Sequence, residues 1–305
     1  MGGKTSYQTV KDISDKIETM EIRGAAKIAR SGAEALKSVV ECYEGSSKEE
    51  LEKELKRSSE MILSTRPTAV SLQNALEFVL DFEADDLDAL KSGVEKRAEE
   101  FKRISINAKE KIAEYGGKRI EDGENILTHC NSSLALAAIK YAWNEGKEIK
   151  VICTESRPKR QGCISVKELN ENDIPVSFIV DSAVRYHMKD IDKVYVGADT
   201  ITSNGSLINK IGTSQIALCA DEARVPFTVC AETYKFSKNT RMGNLVKIEE
   251  RSPSEIINTE CFSDIDIKNP VFDATPRKYI DAIITEKGVI PPSGAIEVLK
   301  EMKNI

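Results

Sequence analysis

The sequence is poor in the residues that build metal and redox centres. Only two histidines, His129 and His187, occur in 305 residues, so an imidazole-based metal site is badly supplied and none is expected. The seven cysteines (Cys42, Cys130, Cys153, Cys163, Cys219, Cys230 and Cys261) are odd in number and scattered, with no C-x-x-C pair. That argues against a disulfide framework and against a zinc knuckle. Most of these thiols, Cys130 excepted, read as small core residues. No apolar run approaches the ~20 residues needed to span a bilayer, and the first eleven residues lack the apolar segment of a secretory signal. A cytoplasmic protein with no membrane partner is expected.

A basic excess is missing as well. Lys and Arg number 44 against 50 Asp and Glu, a formal net charge of −6, which argues against a nucleic-acid partner. A small anionic ligand stays compatible, because a few local cations can hold a phosphate whatever the net charge. No G-x-G-x-x-G follows an apolar run, so no dinucleotide is expected, and nothing else in the chain points to an organic cofactor. Gly2-Gly3-Lys4-Thr5 has the tail of a phosphate-binding loop without its leading glycine or strand, and reads as a loose terminus.

What is present falls into two textures. Apolar positions recur at helical spacing over residues 7–22, 25–40, 51–63 and 72–82, and a charged stretch, 85–115, continues the pattern with Leu87, Leu90, Val94, Ala98, Phe101 and Ile104. Gly116-Gly117 punctuates the chain. Beyond it, short apolar runs (126–130, 149–154, 176–180, 194–197, 227–231) alternate with helical stretches (134–144, 165–169, 182–188, 210–222). Such alternation predicts right-handed crossovers and a parallel sheet. Runs near 245–248 and 282–285 predict further strands, and 295–302 a closing helix. The expected fold class is α/β: a helical N-terminal domain over residues 1–115, then a Rossmann-like parallel-sheet domain over 116–305.

Ligands of such sheets collect at the carboxyl ends of the strands, where helix N-termini point. Thr128-His129-Cys130-Asn131-Ser132-Ser133 lies at one such end. There Asn131 to Ser133 could cap the next helix and leave amides for a phosphate, and Cys130 would sit beside a positive helix end that favours a thiolate. A buried cysteine followed by an ordinary capping run fits the same text. Val196-Gly197-Ala198-Asp199 ends another strand, which suits either a catalytic acid or a loop-capping aspartate. Asn209-Lys210-Ile211-Gly212-Thr213 reads as a helix start, where a lysine opposes the macrodipole unless an anion lies between; a solvated lysine is the alternative. In the helical domain, Arg23-Gly24-Ala25-Ala26 places small residues where a backbone could approach a ligand, and Ser64-Thr65-Arg66-Pro67-Thr68 sets an arginine before a helix start. Surface arginines would look the same.

Taken in order, these segments resemble one superfamily. The match rests on Arg23-Gly24-Ala25, Arg66-Pro67-Thr68-Ala69-Val70, Cys130-Asn131, Glu155-Ser156-Arg157-Pro158 with Gln161-Gly162, Asp181-Ser182-Ala183, Val196-Gly197-Ala198-Asp199 and Asn209-Lys210-Ile211-Gly212-Thr213. The superfamily holds methylthioribose-1-phosphate isomerases, archaeal ribose-1,5-bisphosphate isomerases, and the α, β and δ regulatory subunits of translation-initiation exchange factor 2B. The regulatory subunits generally lack the cysteine–aspartate pair that stands here as Cys130 and Asp199. Methylthioribose-1-phosphate isomerases usually carry a small Ser/Thr-rich segment where this chain reads Glu232-Thr233-Tyr234-Lys235-Phe236-Ser237. That text is most similar to the ribose-1,5-bisphosphate isomerases of nucleoside-monophosphate degradation, and Lys235 suits a second phosphate on C5. Departures from the pattern are Ser132-Ser133 after the cysteine and Ser156 in place of a frequent threonine.

The resemblance implies an aldose–ketose isomerase without metal or organic cofactor. Asp199, if kept protonated by burial, would open the sugar ring, and Cys130 as thiolate would move a proton by way of an enol phosphate. Arg23, Gly24, Ala25, Ala26, Arg66, Asn131, Ser132, Ser133, Asn209, Lys210 and Lys235 would bind the sugar bisphosphate. It also implies a homo-oligomer, dimer or hexamer, with a nucleoside monophosphate as candidate activator. The alternatives are a methylthioribose-1-phosphate isomerase and a non-catalytic sugar-phosphate-binding regulatory subunit.

Overall fold

In the computed structural model, residues 6–238, 248–258 and 265–302 are described. Gly2 to Thr5, Cys261 and all of the expected strand at 245–248 except Ile248 lie outside them. The chain forms two compact units, Met1–Asn107 and Ala108–Ile305.

Helices α1 (Ser6–Glu18), α2 (Ala25–Glu41), α3 (Lys48–Thr65), α4 (Val70–Leu80) and the first part of α5 (Leu87–Gly117) make the first unit. Their apolar stripes face one another: Ile28, Leu36 and Val39 of α2 meet a core with Leu51, Leu55 and Ile62 of α3 and Leu72, Leu76 and Val79 of α4. The start of α3 is local chemistry, since Ser47 accepts the Glu50 N–H while Glu49 and Glu50 place negative charge in the first turn.

The second unit is built on a seven-stranded sheet. Its strands are β1 (Asn125–Thr128), β2 (Lys150–Thr154), β3 (Val176–Ile179), β4 (Lys193–Val196), β7 (Phe227–Cys230), β9 (Ala282–Thr285) and β10 (Gly288–Ile290), in the order β3-β2-β1-β4-β7-β9-β10. All pairs are parallel except β9 with β10. Helices α6 (Ser133–Asn144), α7 (Gly162–Asn170), α8 (Val184–His187), α9 (Thr213–Ala223) and α10 (Ala295–Met302) complete the crossovers and the C-terminal close. Alternation along the strands feeds two cores. Leu127, Val194, Val196 and Val229 join one, and Ile126, Tyr195 and Cys230 the other.

The division between units falls after Asn107 rather than after residue 115, both positions lying within α5. The reason is that Ile112 and Tyr115 belong to the second sheet core, and the Tyr195 hydroxyl donates to the Gly116 carbonyl at 3.0 Å.

One part of the architecture differs from expectation. Asn209 and Lys210 do not open a helix. They end β6 (Leu207–Lys210), which pairs antiparallel with β5 (Thr200–Ile201) and β8 (Phe272–Thr275) in a separate three-stranded sheet. Helix α9 starts later, with Gly212 at φ 99° as its cap.

Candidate active site

Strand order reverses between β1 and β4, the two strands from which the chain departs in opposite directions across the sheet. Cys130 leaves the carboxyl end of β1 and Asp199 leaves that of β4. The loops touch closely: a Cβ added to Gly197 would lie 2.3 Å from the Ser132 Oγ. The His129 ring, 2.8 Å from the Ile211 carbonyl, joins the Lys210 segment to the Cys130 segment, and charge on Lys210 and Asp199 acts on the Cys130 thiol.

Cys130 is half-buried and held in the left-handed region at φ 65°. Both of its backbone polar groups are engaged by side chains. Its N–H donates to the Ser156 Oγ at 2.7 Å, and its carbonyl accepts from the Ser165 Oγ at 2.8 Å. Asp181 in turn accepts the Ser156 and Arg157 N–H groups at 2.8 and 2.7 Å. Ser156, Ser165 and Asp181 escape sequence reasoning as supports of Cys130, because their partners are 24 to 35 residues away. The motif text around Ser156 and Asp181 marks their place but no role.

The expectation of a favoured thiolate is corrected by the structure. Burial pushes the Cys130 thiol up to about 11, against the downward pull of Lys210 and the Asn131 N–H, while Asp199 and Asp181 add to the rise. Lys210 and the Asn131 N–H together are too weak to offset desolvation here. Cys153 and Cys230 are pushed up to about 12 by the same cause. Of the three, only Cys130 is partly open to solvent and has an amide and a cation pulling directly on its sulfur at the sheet's carboxyl edge.

The neighbouring candidates divide by how they are already bonded. Ser132 caps α6 by accepting the Ala135 N–H at 3.3 Å, Asn131 donates to the Ser165 Oγ at 3.1 Å, and Ser133 is exposed. Asn209 is buried and donates to the Thr213 Oγ1 at 3.0 Å. Lys210 lies with its Nζ 5.1 Å from the centre of the Phe272 ring, and among the described residues it has no ion pair with a carboxylate.

The anion inferred at the start of α9 exists, and it belongs to the protein. Asp273 on β8 accepts the N–H groups of Gly212 at 2.8 Å and Ser214 at 3.1 Å. Burial nonetheless raises its carboxyl to about 6, with those two amides opposing. Lys235 is equally taken. It is buried after β7 and pairs at 2.9 Å with the wholly buried Glu232, whose other oxygen accepts the Tyr234 hydroxyl. Its segment runs beside the strand that follows Asp199, for the Ser237 N–H donates to the Ile201 carbonyl at 2.8 Å.

Within the helical unit, the start of α2 and the start of α4 adjoin. The Ser71 Oγ donates to the Ala25 carbonyl at 3.2 Å, which brings the Arg23–Ala26 and Arg66 segments together. Gly24 caps α2 at φ 86° with open space where a Cβ would be, Arg23 is exposed, and the Arg66 Nε is buried with no hydrogen-bond partner among the described residues. Among the described residues no cluster of three metal-ligating side chains occurs.

Known proteins match this arrangement over nearly its whole length. A ribose 1,5-bisphosphate isomerase of Archaeoglobus fulgidus is 52% identical over 96% of this chain and 93% of its own. Another, from Methanocaldococcus jannaschii, is 50% identical over 96% and 94%. Among solved structures, one named as translation initiation factor eIF-2B of Pyrococcus horikoshii superposes with a TM-score of 0.83 at 33% identity, covering 94% of this chain and 98% of that one. The sequence pattern of one family spans residues 21–292, and on that extent and these identities the chain belongs to the Initiation factor 2 subunit family.

Proposed function

We propose that this protein is an isomerase that converts ribose 1,5-bisphosphate to ribulose 1,5-bisphosphate, as part of nucleoside-monophosphate degradation. The observation that carries the reading is the position of Cys130 and Asp199 just past the carboxyl ends of the paired strands β1 and β4, whose following loops touch through Ser132 and Gly197. Relatives of about half identity that bear this activity's name support it.

The substrate's C1 carries phosphate, so no free aldehyde exists and a simple aldose enediol route is closed. Asp199 donates a proton to the ring oxygen, which leaves C1. The Cys130 sulfur, as thiolate, takes the proton from C2, and the C–H electron pair forms the C1–C2 double bond of an enol phosphate. Asp199 as carboxylate then accepts the C2 hydroxyl proton while Cys130 returns its own to C1. Each group ends as it began, and no external oxidant or reductant is needed to balance the step. Lys210 and the amides at the start of α6 hold one phosphate. Lys235 serves the second phosphate, exchanging Glu232 for a substrate oxygen.

Incubation of the protein with ribose 1,5-bisphosphate followed by a ketose assay tests the reading. Turnover is expected, and Cys130→Ser should lower kcat by about 10³-fold or more with the sugar still bound. Near-normal turnover by that variant removes the base assignment. A second reading, a non-catalytic sugar-phosphate-binding subunit, is favoured by the likeness to the structure named as an initiation factor. Tight sugar-phosphate binding with no ketose formed would select it.

A further inference from the structure

His129 precedes Cys130 and is almost wholly buried, yet the proton transfers above make no use of it. Its ring spans three segments. Nε2 lies 2.8 Å from the Ile211 carbonyl, which can only accept, so Nε2 carries the hydrogen and Nδ1 is bare. Nδ1 then accepts from the Thr154 Oγ1 at 2.6 Å and sits 3.3 Å from the Ser156 Oγ, the atom that receives the Cys130 N–H. The neutral ring suits these partners. Burial disfavours the imidazolium, the Ile211 carbonyl and Asp181 (3.9 Å away) oppose that, and Lys210 reinforces it.

The partner loop is shaped to meet the ring. Gly212 adopts φ 99°, and a Cβ there would come within 3.1 Å of the His129 Cε1 and 3.2 Å of its Nε2. Only a residue without a side chain lets the loop close onto the imidazole. That loop continues directly from Lys210.

We propose that His129 is a positioning residue: its ring is a strut that ties the strand end bearing Cys130 to the loop bearing Lys210, and so fixes the separation of thiol and ammonium. The strut spans Ile211 on one side and the Thr154–Ser156 turn that clamps the Cys130 backbone on the other. Its catalytic consequence rests on the reading that Cys130 and Lys210 act on one substrate.

Two substitutions in the full chain separate its ends. In His129→Gln the side-chain amide reaches the Nε2 position and keeps a donor for the Ile211 carbonyl. In His129→Asn the side chain is too short for that and can serve only the Thr154 side. The Asn variant should lose about 100-fold in kcat with KM within about threefold, and the Gln variant should stay within about fivefold of the parent. Alkylation of Cys130 by iodoacetamide, followed by peptide mass spectrometry, should accelerate about fivefold or more in the Asn variant alone. A purely structural role would lower the unfolding midpoint without moving the alkylation rate per folded molecule.

Equal kcat in the two variants, or unchanged Cys130 alkylation in His129→Asn, overturns the proposal. Should the Asn variant fail to fold, Gly212→Ala presses on the same contact from the other side, and parental kcat in that variant overturns it equally. If the parent forms no ketose from ribose 1,5-bisphosphate, the functional reading falls, while the alkylation comparison still decides the strut.

Discussion

Two helix starts flank His129, and the protein treats them in opposite ways. Helix α6 is capped by the neutral hydroxyl of Ser132 and has no acidic side chain in its first turn. Helix α9 has its leading amides filled by the Asp273 carboxylate, carried in from β8. The two lysines divide likewise: Lys210 lies over an aromatic ring, whereas Lys235 is matched by buried Glu232. A helix N-terminus carries about half a positive charge, and internal carboxylates have quenched one such end and one lysine. Of these four, the start of α6 and Lys210 meet no internal carboxylate among the described residues. Positive charge on a surface or at a helix end is therefore a poor guide to a phosphate site until its internal partner is known.

The contrast can be broken most strongly through the thiol. A sulfur pushed up to about 11 is almost wholly protonated at pH 7, and its thiolate fraction then rises about tenfold per pH unit. Alkylation of Cys130 by iodoacetamide, read by peptide mass spectrometry, should accelerate about 100-fold between pH 7 and 9; a flat profile over that window would show that the thiol is not raised. Next in size is the pair of lysines. Lys210→Ala should raise the KM for ribose 1,5-bisphosphate about 100-fold, and Lys235→Met combined with Glu232→Gln about tenfold. The double variant leaves no lone buried carboxylate, and it should hardly alter the KM for methylthioribose 1-phosphate. If the order of the two effects reverses, the division into open and quenched cations is wrong.

The smallest effect concerns stability. Asp273 is raised from 3.8 to about 6, so on raising the pH the unfolded chain ionises there first. Its share of stability is full below about pH 4 and is lost as pH rises through about 6, a difference of about 3 kcal/mol. Asp273→Asn should remove that slope. The readout is the difference in urea unfolding between variant and parent at pH 4 and pH 7; parallel curves would show that the carboxyl is not perturbed.

How far the sequence could be read depended on how local each signal was. Residues 282–285 and 295–302 show their strand and helix through local periodicity alone, and the observed β9 and α10 have the same bounds. The carboxyl ends of β1 and β4 were legible because apolar runs stop there, which brought Cys130 and Asp199 forward. The sheet β5-β6-β8 was not, since β5 is only two residues long and Leu207 to Lys210 finds its longer partner strand more than sixty residues later. Hence Lys210 reads as a helix residue in the sequence and is a strand residue in the fold. Asp273, which belongs to that hidden pairing, gave no sign of its place at α9.

From the sequence alone come the two textures, the parallel sheet and the strand ends where chemistry-bearing residues collect, because periodicity and punctuation act over a few residues. Only the tertiary structure decided which charges stay open. Desolvation of Cys130, the pairing of Lys235 with Glu232, the capture of α9 by Asp273 and the bridging of two loops by His129 all depend on burial and on distances between remote segments. Those are quantities of the folded chain, and no window along the sequence contains them.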